Sequence, residues 1–329
     1  MKKIFLSLTV LLGISTLALA QTTEKTKDAF TPGGKPTVTV FSDFFSNNSN
    51  DKSNNGFEVS RAYLGYKYDF SPNFSGKIVF DIANTASLKP SAYTVFLKNA
   101  YVEYSYQLVK ADFGLIGENM FDLQESVWGK RYLYKSFQDQ YGFGSSADLG
   151  AKIKLQFTPD ISLDLSVLNG EGYKNVQADS TVLVAAGLTV KPLKNLYARV
   201  YTDYMKKEVA QTSFNAYIGY KGKKGNISAE YNLQNGHGMV KDHNFSGFSL
   251  YGTLSVAKQF SVFARYDHLT SDKVGTATNG WNSTDGQVYI AGAEFVPVKG
   301  IQIAPNIRYS DLADGKSITS LYMNFCMSF

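Results

Sequence analysis

The chain has 329 residues, with 33 Lys and Arg against 28 Asp and Glu. The formal charge of +5 falls to about +3 once Lys2 and Lys3 are set aside, too little for a nucleic-acid-binding surface. Cys326, the single cysteine, makes no intramolecular disulfide and no Cys metal site.

The first element in the chain is MKKIFLSLTVLLGISTLALAQ. A basic start, an apolar stretch from Ile4 to Leu19 and a small-x-small step at Ala18-Leu19-Ala20 predict a secretory signal peptide over residues 1–20. The apolar core is short for a spanning helix, and no later stretch is apolar enough to be one. Residues 21–35, polar and without periodicity, read as a flexible periplasmic leader.

From Pro36 to Phe329 the pattern changes to short segments of strict alternation. In RAYLGYKYDF, Ala62, Leu64, Tyr66, Tyr68 and Phe70 share one face, with Arg61, Tyr63, Gly65, Lys67 and Asp69 on the other. ADLGAKIKLQF repeats the scheme. Period two over such lengths predicts half-buried strands. About sixteen start near Thr37, Phe57, Phe74, Phe96, Val109, Ala147, Ile161, Thr181, Leu196, Ser213, Asn226, Phe248, Phe260, Val288, Ile301 and Ser320. Short connections (SPN at Ser71, TPD at Thr158, GKKG at Gly222) alternate with longer polar ones such as NNSNDKSNNG at Asn47. An even count places both chain termini on the short-turn side.

A soluble sandwich or propeller also alternates, but no repeat of propeller length is present. The apolar face instead reads aromatic at its ends and aliphatic between, as in Phe74, Gly76, Ile78, Phe80 and Ile82. That suits a lipid-facing band between aromatic girdles. The fold expected is all-β: a closed transmembrane antiparallel β-barrel of about sixteen strands, with short periplasmic turns and longer extracellular loops. The last strand carries Leu321, Met323, Phe325, Met327 and Phe329 on its apolar face. Phe325, Met327 and Phe329 resemble a C-terminal signal for the barrel-assembly machinery.

If the apolar face meets lipid, the other face lines the interior. Its charges are nearly balanced: Arg61, Lys67, Lys77, Lys152, Lys154, Arg199, Arg265 and Arg308 against Asp81, Glu103, Asp203 and Asp267, with further residues of both signs. Spacing along single strands suggests the pairs Lys77 with Asp81, Arg199 with Asp203, and Arg265 with Asp267. Dry burial of so many charges costs several kcal/mol each, so a water-filled lumen is expected. The longest connection, residues 119–146, follows the fifth strand and carries Trp128, Tyr132, Tyr134, Phe137, Tyr141 and Phe143. Folded inward, it would narrow the pore with Asp122, Glu125, Lys130, Arg131, Lys135 and Asp139.

These features together resemble the phosphate-selective porin O and P family in the broad sense. The resemblance rests on FEVSRAYLGYKYDFSPNFSGKIVFDIAN, FGLIGENMFDLQESVWGKRYL and LNGEGYKN. It implies a sixteen-stranded barrel, trimers, an inward third loop and diffusion of anions. The family's arginine ladder is not evident, so phosphate specificity is not carried over; Lys130, Arg131 and Lys135 are the local anion candidates. The function expected is a passive, weakly selective outer-membrane porin for small hydrophilic solutes in a Gram-negative bacterium. Its expected surroundings are outer-membrane lipid, lipopolysaccharide and other copies of the chain, with no nucleic acid, cofactor, metal or catalytic residue. The alternatives are a channel for phosphate or sugars, the latter along Tyr63, Tyr101, Tyr197, Tyr201, Tyr217 and Tyr251, a non-conducting scaffold or adhesin, and a hydrolase using His237, His243 or His268.

Overall fold

The computed structural model describes residues 30–49, 52–84 and 92–329. The chain divides into residues 1–31 and Pro32–Phe329, and the second unit is described below. The expected signal peptide and residues 21–29 of the expected leader lie outside the described residues.

Sixteen strands form one closed antiparallel sheet in chain order, β1 pairing with β16. They are β1 (Gly33–Ser49), β2 (Lys52–Asp69), β3 (Phe74–Asn84), β4 (Tyr93–Tyr106), β5 (Val109–Gly117), β6 (Ala147–Thr158), β7 (Ile161–Leu168) and β8 (Leu183–Leu193). The second half comprises β9 (Leu196–Lys206), β10 (Ala210–Gly222), β11 (Gly225–Asn235), β12 (Phe245–Ala257), β13 (Phe260–Ser271), β14 (Gly286–Phe295), β15 (Ile301–Leu312) and β16 (Ser317–Ser328). Every expected segment corresponds to one strand. No helix among the described residues is long and apolar enough to cross a membrane.

Two boundaries differ from expectation. The first strand begins at Gly33, so Gly33–Lys35 belong to the wall, paired with Lys67–Asp69. The Asn- and Ser-rich NNSNDKSNNG is not a long loop. β1 and β2 stay paired to Ser49 and Lys52, because backbone bonds between neighbouring strands outweigh the weak strand propensity of Asn and Ser.

Closure is completed by backbone groups. The Val38 N–H donates to the Phe329 carbonyl at 2.8 Å and the Phe329 N–H to the Val38 carbonyl at 3.1 Å. Deleting Phe329 removes both bonds and is expected to weaken the seam by about 2 kcal/mol. The check is the fraction of barrel that resists unfolding in detergent on stepwise heating; an unchanged profile would show that the seam does not depend on these bonds.

The outer surface is a band of aliphatic side chains between two aromatic belts. Near the long-loop rim Phe248, Tyr266, Tyr289 and Tyr309 form a chain of ring contacts at 5.6, 4.8 and 6.3 Å across β12–β15. Near the short-turn rim Tyr68 meets Phe70, and Phe74 meets Tyr104, both at 4.9 Å. That is the surface of a membrane barrel.

Among the described residues the pairing register shifts at five places; three lie beside the short turns after β6, β8 and β12, and two are β-bulges farther along the strands. Between β1 and β2 the register shifts after Phe41, so that Ser60 is the extra residue beside Arg61. Between β3 and β4 it shifts after Val79, making Lys98 the extra residue beside Asn99. A bulge turns two successive side chains toward one face. Both lie on the same side of the barrel.

Candidate functional site: the third loop and the lumen

The loops on the long-loop rim are numbered in chain order; the third, L3, spans 118–146. It holds two short helices, α1 (Asp122–Trp128) and α2 (Phe137–Tyr141). Each ends on a glycine at positive φ, Gly129 at 64° and Gly142 at 74°.

L3 lies against the inner wall from β9 to β15. Its aromatics form the interior core: Trp128 packs against Tyr251 and Phe263, and Phe143 against Phe245. Wall side chains satisfy its backbone. Arg199 donates to the Asn119 carbonyl at 2.9 Å, Arg265 to Lys135 at 2.8 Å, Arg308 to Leu133 at 3.0 Å and Gln234 to Phe143 at 2.7 Å. Gln138 reaches Glu230 and Asn232, and Gln124 reaches Asn215.

Three of the expected lumen arginines therefore hold the loop rather than line open water. Arg265 and Asp267 form a bidentate pair with both side chains almost wholly buried. Arg265 is also surrounded by the rings of Trp128, Tyr134 and Tyr251. Gly247 is open because the loop needs the space. A Cβ there would lie 2.5 Å from Phe137 Cζ and 2.3 Å from the His268 carbonyl. Gly247→Ala is expected to cost about 1–3 kcal/mol by overpacking. A thermal melt of the refolded barrel checks this; an unchanged melt would mean that α2 yields freely.

Two expected ion pairs are corrected. Asp81 pairs with Arg61 at 3.3 Å, not with Lys77, and Arg199 pairs with Asp164 at 2.6 Å, not with Asp203. Residues i and i+4 on a strand stand about 13 Å apart, whereas neighbours on adjacent strands are about 5 Å apart. Arg265 reaches Asp267 because i and i+2 lie within the length of an arginine.

The free edge of L3 faces the bulged wall across the lumen. Arg131 pairs with Glu125 at 2.7 Å and with Asp139, which also meets Lys135 at 3.9 Å. Burial acts to raise the Asp139 carboxyl, but Arg131 and Lys135 outweigh it and hold it below the ordinary aspartate value. Opposite stand Arg61, Tyr63, Asp81 and Lys98, with Tyr173 and Lys174 from the fourth loop (169–182). The Tyr63 hydroxyl accepts from Arg61 at 3.3 Å and faces Arg131 of the loop. Tyr173 donates to Asp81 at 2.5 Å.

Lys98 has no carboxylate at ion-pair distance among the described residues. Its ammonium donates to Ser146 at 2.7 Å and lies 5.1 Å from the ring centres of both Tyr63 and Tyr173. The ring thus holds Arg61, Lys98, Arg131, Lys135 and Lys174 against Asp81, Glu125 and Asp139. Of the six expected constriction residues, Glu125, Arg131, Lys135 and Asp139 stand at this edge. Lys130 turns into the wall onto Glu294 at 2.7 Å, and Asp122 faces the chamber below.

That chamber, of about 540 Å³, lies on the short-turn side of L3. Lys77, Lys110, Lys152, Lys154 and Lys191 enter it. Lys67 stands directly opposite Lys77, and Lys110 opposite Lys154. Facing like charges cost stability, and only water keeps the cost small. Lys110 pairs with Glu103 at 2.6 Å and Lys152 with Asp112 at 3.3 Å; Lys77 and Lys154 have no ion pair among the described residues. Of the expected tyrosine track, Tyr201, Tyr217 and Tyr251 are buried in the core beside L3, so no continuous track lines the passage.

Alternation alone misses Lys98, but the sequence carries a signal for it. Val95 and Leu97 occupy odd positions on the apolar face, and Ala100, Val102 and Tyr104 even ones. The change of parity at Lys98-Asn99 is the bulge. Phe57 and Val59 against Ala62 and Leu64 mark the other at Ser60-Arg61.

No known family profile and no curated protein matches the sequence. Solved structures do match. An anion-selective porin from Comamonas acidovorans has a TM-score of 0.69 at 10% identity, over 91% of this chain and 100% of that one. OprB of Pseudomonas putida gives 0.65 at 9% identity, over 90% and 94%. The outer membrane channel DcaP of Acinetobacter baumannii gives 0.62 at 16% identity, over 91% and 97%. At such identities the likeness establishes the porin-type barrel fold, without membership of the phosphate-selective family.

Proposed function

We propose that this protein is a passive outer-membrane porin for small hydrophilic solutes, with a modest preference for anions. The observation that carries this reading is the line of lysines without an ion pair among the described residues, from Lys98 at the constriction to Lys77 and Lys154 in the chamber below. The acids at the constriction are held by cations, Asp81 by Arg61, and Glu125 and Asp139 by Arg131. Selectivity follows the sign of the charge left over in a ring, not the sum over the whole wall. The near balance of charge in the sequence therefore understates the preference. The anion selectivity of the Comamonas neighbour agrees with this reading.

Lysine rather than arginine suits a passage. Its ammonium is a mobile, hydrated point charge without the bidentate fork that retains a phosphate. The reading includes a Gram-negative outer membrane, a homotrimer, contact with lipopolysaccharide, and Phe325, Met327 and Phe329 as the assembly signal. His237 borders the cavity that also reaches Arg61, Lys135 and Asp139, and stacks on Trp281 with His243 beside it; His268 packs on Phe248 outside the wall.

The test is single-channel recording of the refolded protein in a planar bilayer under a salt gradient. Stable open steps with a moderate anion-directed reversal potential are expected. Folded protein that gives no steps would refute the porin reading, and a cation-directed potential would refute the preference.

A further inference from the structure

On the long-loop side of the constriction a second chamber of about 350 Å³ separates L3 from β1, β2 and β16. Two carboxylates enter it. Asp43 and Glu58 stand directly opposite each other on β1 and β2, an arrangement that costs stability unless a cation offsets it. Asp43 is 4% exposed, yet its Oδ1 has no hydrogen-bond partner among the described residues. Its Oδ2 receives one long bond from Asn324 at 3.4 Å. Neighbouring donors are committed elsewhere: Ser60 to the Phe41 carbonyl at 3.3 Å, and Arg308 to Asn306, Leu133 and Asn324. Glu58 has no hydrogen bond or ion pair among the described residues.

The same chamber holds cations at a different level. Arg61 is level with Phe41, two residues below Asp43 on β1. Two strand residues span about 7 Å. Arg131 and Lys135 of L3 border the chamber as well. Arg308 also borders the chamber beside Asp43, its guanidinium held by Asn306, the Leu133 carbonyl and Asn324; apart from it, the carboxylates lie toward the outer rim and the cations toward the constriction. A molecule matching both levels carries an ammonium and a carboxylate about 7 Å apart. An extended chain of two residues spans about 7 Å, whereas a single amino acid falls well short.

We propose that this chamber is a binding step for short zwitterionic peptides of dipeptide size. The ammonium sits between Asp43 and Glu58, and the carboxylate points at Arg61 and Lys135, toward the constriction. The inference rests on the porin reading and names a solute class for it. The carboxylate leads, so the solute reaches the anion-favouring ring in the orientation that the ring accepts.

The experiment is swelling of liposomes containing the full-length barrel, in dialanine, in its acetylated and amidated analogue, in alanyl-alanine amide and in arabinose. Wild type should admit dialanine faster than the doubly capped analogue. Glu58→Gln and Asp43→Asn should each slow dialanine about threefold, the size of one partly exposed charge contact, and leave arabinose unchanged. Glu58 is exposed, so E58Q carries the test even if D43N fails to fold. Unchanged dialanine rates in E58Q, with arabinose still entering, would overturn the proposal and leave the porin reading intact. An equal loss for alanyl-alanine amide, which lacks the carboxylate, would overturn the zwitterion in favour of a simple cation site. Folded wild type that excludes arabinose would remove the porin reading and this inference with it.

Discussion

Arg265→Leu is expected to lower the stability of the barrel by about 3–5 kcal/mol and to release L3 from the wall. The substitution leaves the buried Asp267 carboxylate without its bidentate partner, removes the bond to the Lys135 carbonyl, and empties the space among Trp128, Tyr134 and Tyr251. Removing one member of a buried pair costs far more than the pair itself contributes, because the remaining charge is stranded. The readouts are the thermal melt and the single-channel trace, which should become noisy or shift to larger steps. A double replacement, Arg265→Leu with Asp267→Asn, should recover part of the stability by removing the stranded charge, while the loop remains loose. If the single variant conducts quietly at the wild-type level, the arginine and its aromatic neighbours do not fix the loop.

Lys98→Glu combined with Lys135→Glu is expected to turn the reversal potential from anion- to cation-directed. The ring then holds Arg61, Arg131 and Lys174 against five carboxylates. For an ion about 8 Å from each site, at an effective dielectric constant of about 40, one unit charge contributes about 1 kcal/mol. Two reversals thus shift the balance by about 4 kcal/mol before salt screening, enough to overturn a modest preference. The effect should fall at high ionic strength. Lys98→Gln alone should weaken the anion preference without reversing it. A potential that stays anion-directed in the double variant would move control of selectivity to the lysine-lined chamber below.

The strand faces were legible in the sequence because a strand exposes its side chains with period two and lipid enforces the apolar half. Ala62, Leu64 and Tyr66 could not sit inward without burying Arg61 and Lys67 in hydrocarbon. The same rule gave the number of strands, the alternation of short and long connections, and the inward direction of the wall charges. It failed where a second force acted. At NNSNDKSNNG, backbone pairing overrode composition, and strand replaced the expected loop.

The site was legible only in part. Residues 119–146 stood out by their length and aromatic content, but which of their charges border water depends on packing. Lys130 and Arg131 are adjacent in sequence, yet one is tied to Glu294 in the wall and the other faces Tyr63 across the lumen. Arg199, Arg265 and Arg308 read as pore lining because alternation reports direction and not what lies ahead. In the structure, L3 stands in front of them and takes their N–H groups.

The sequence by itself determined the class of surface each residue would face, since that follows from local periodicity and the demand that lipid meet apolar groups. Only the tertiary structure decided which charges remain uncompensated. Compensation acts across strands and between loop and wall, over about 5 Å in space and, between Lys130 and Glu294, across 164 residues in sequence. Lys98 keeps its charge free because a bulge turns it toward the tyrosines, and Asp43 keeps an unbonded oxygen because its neighbours bond elsewhere.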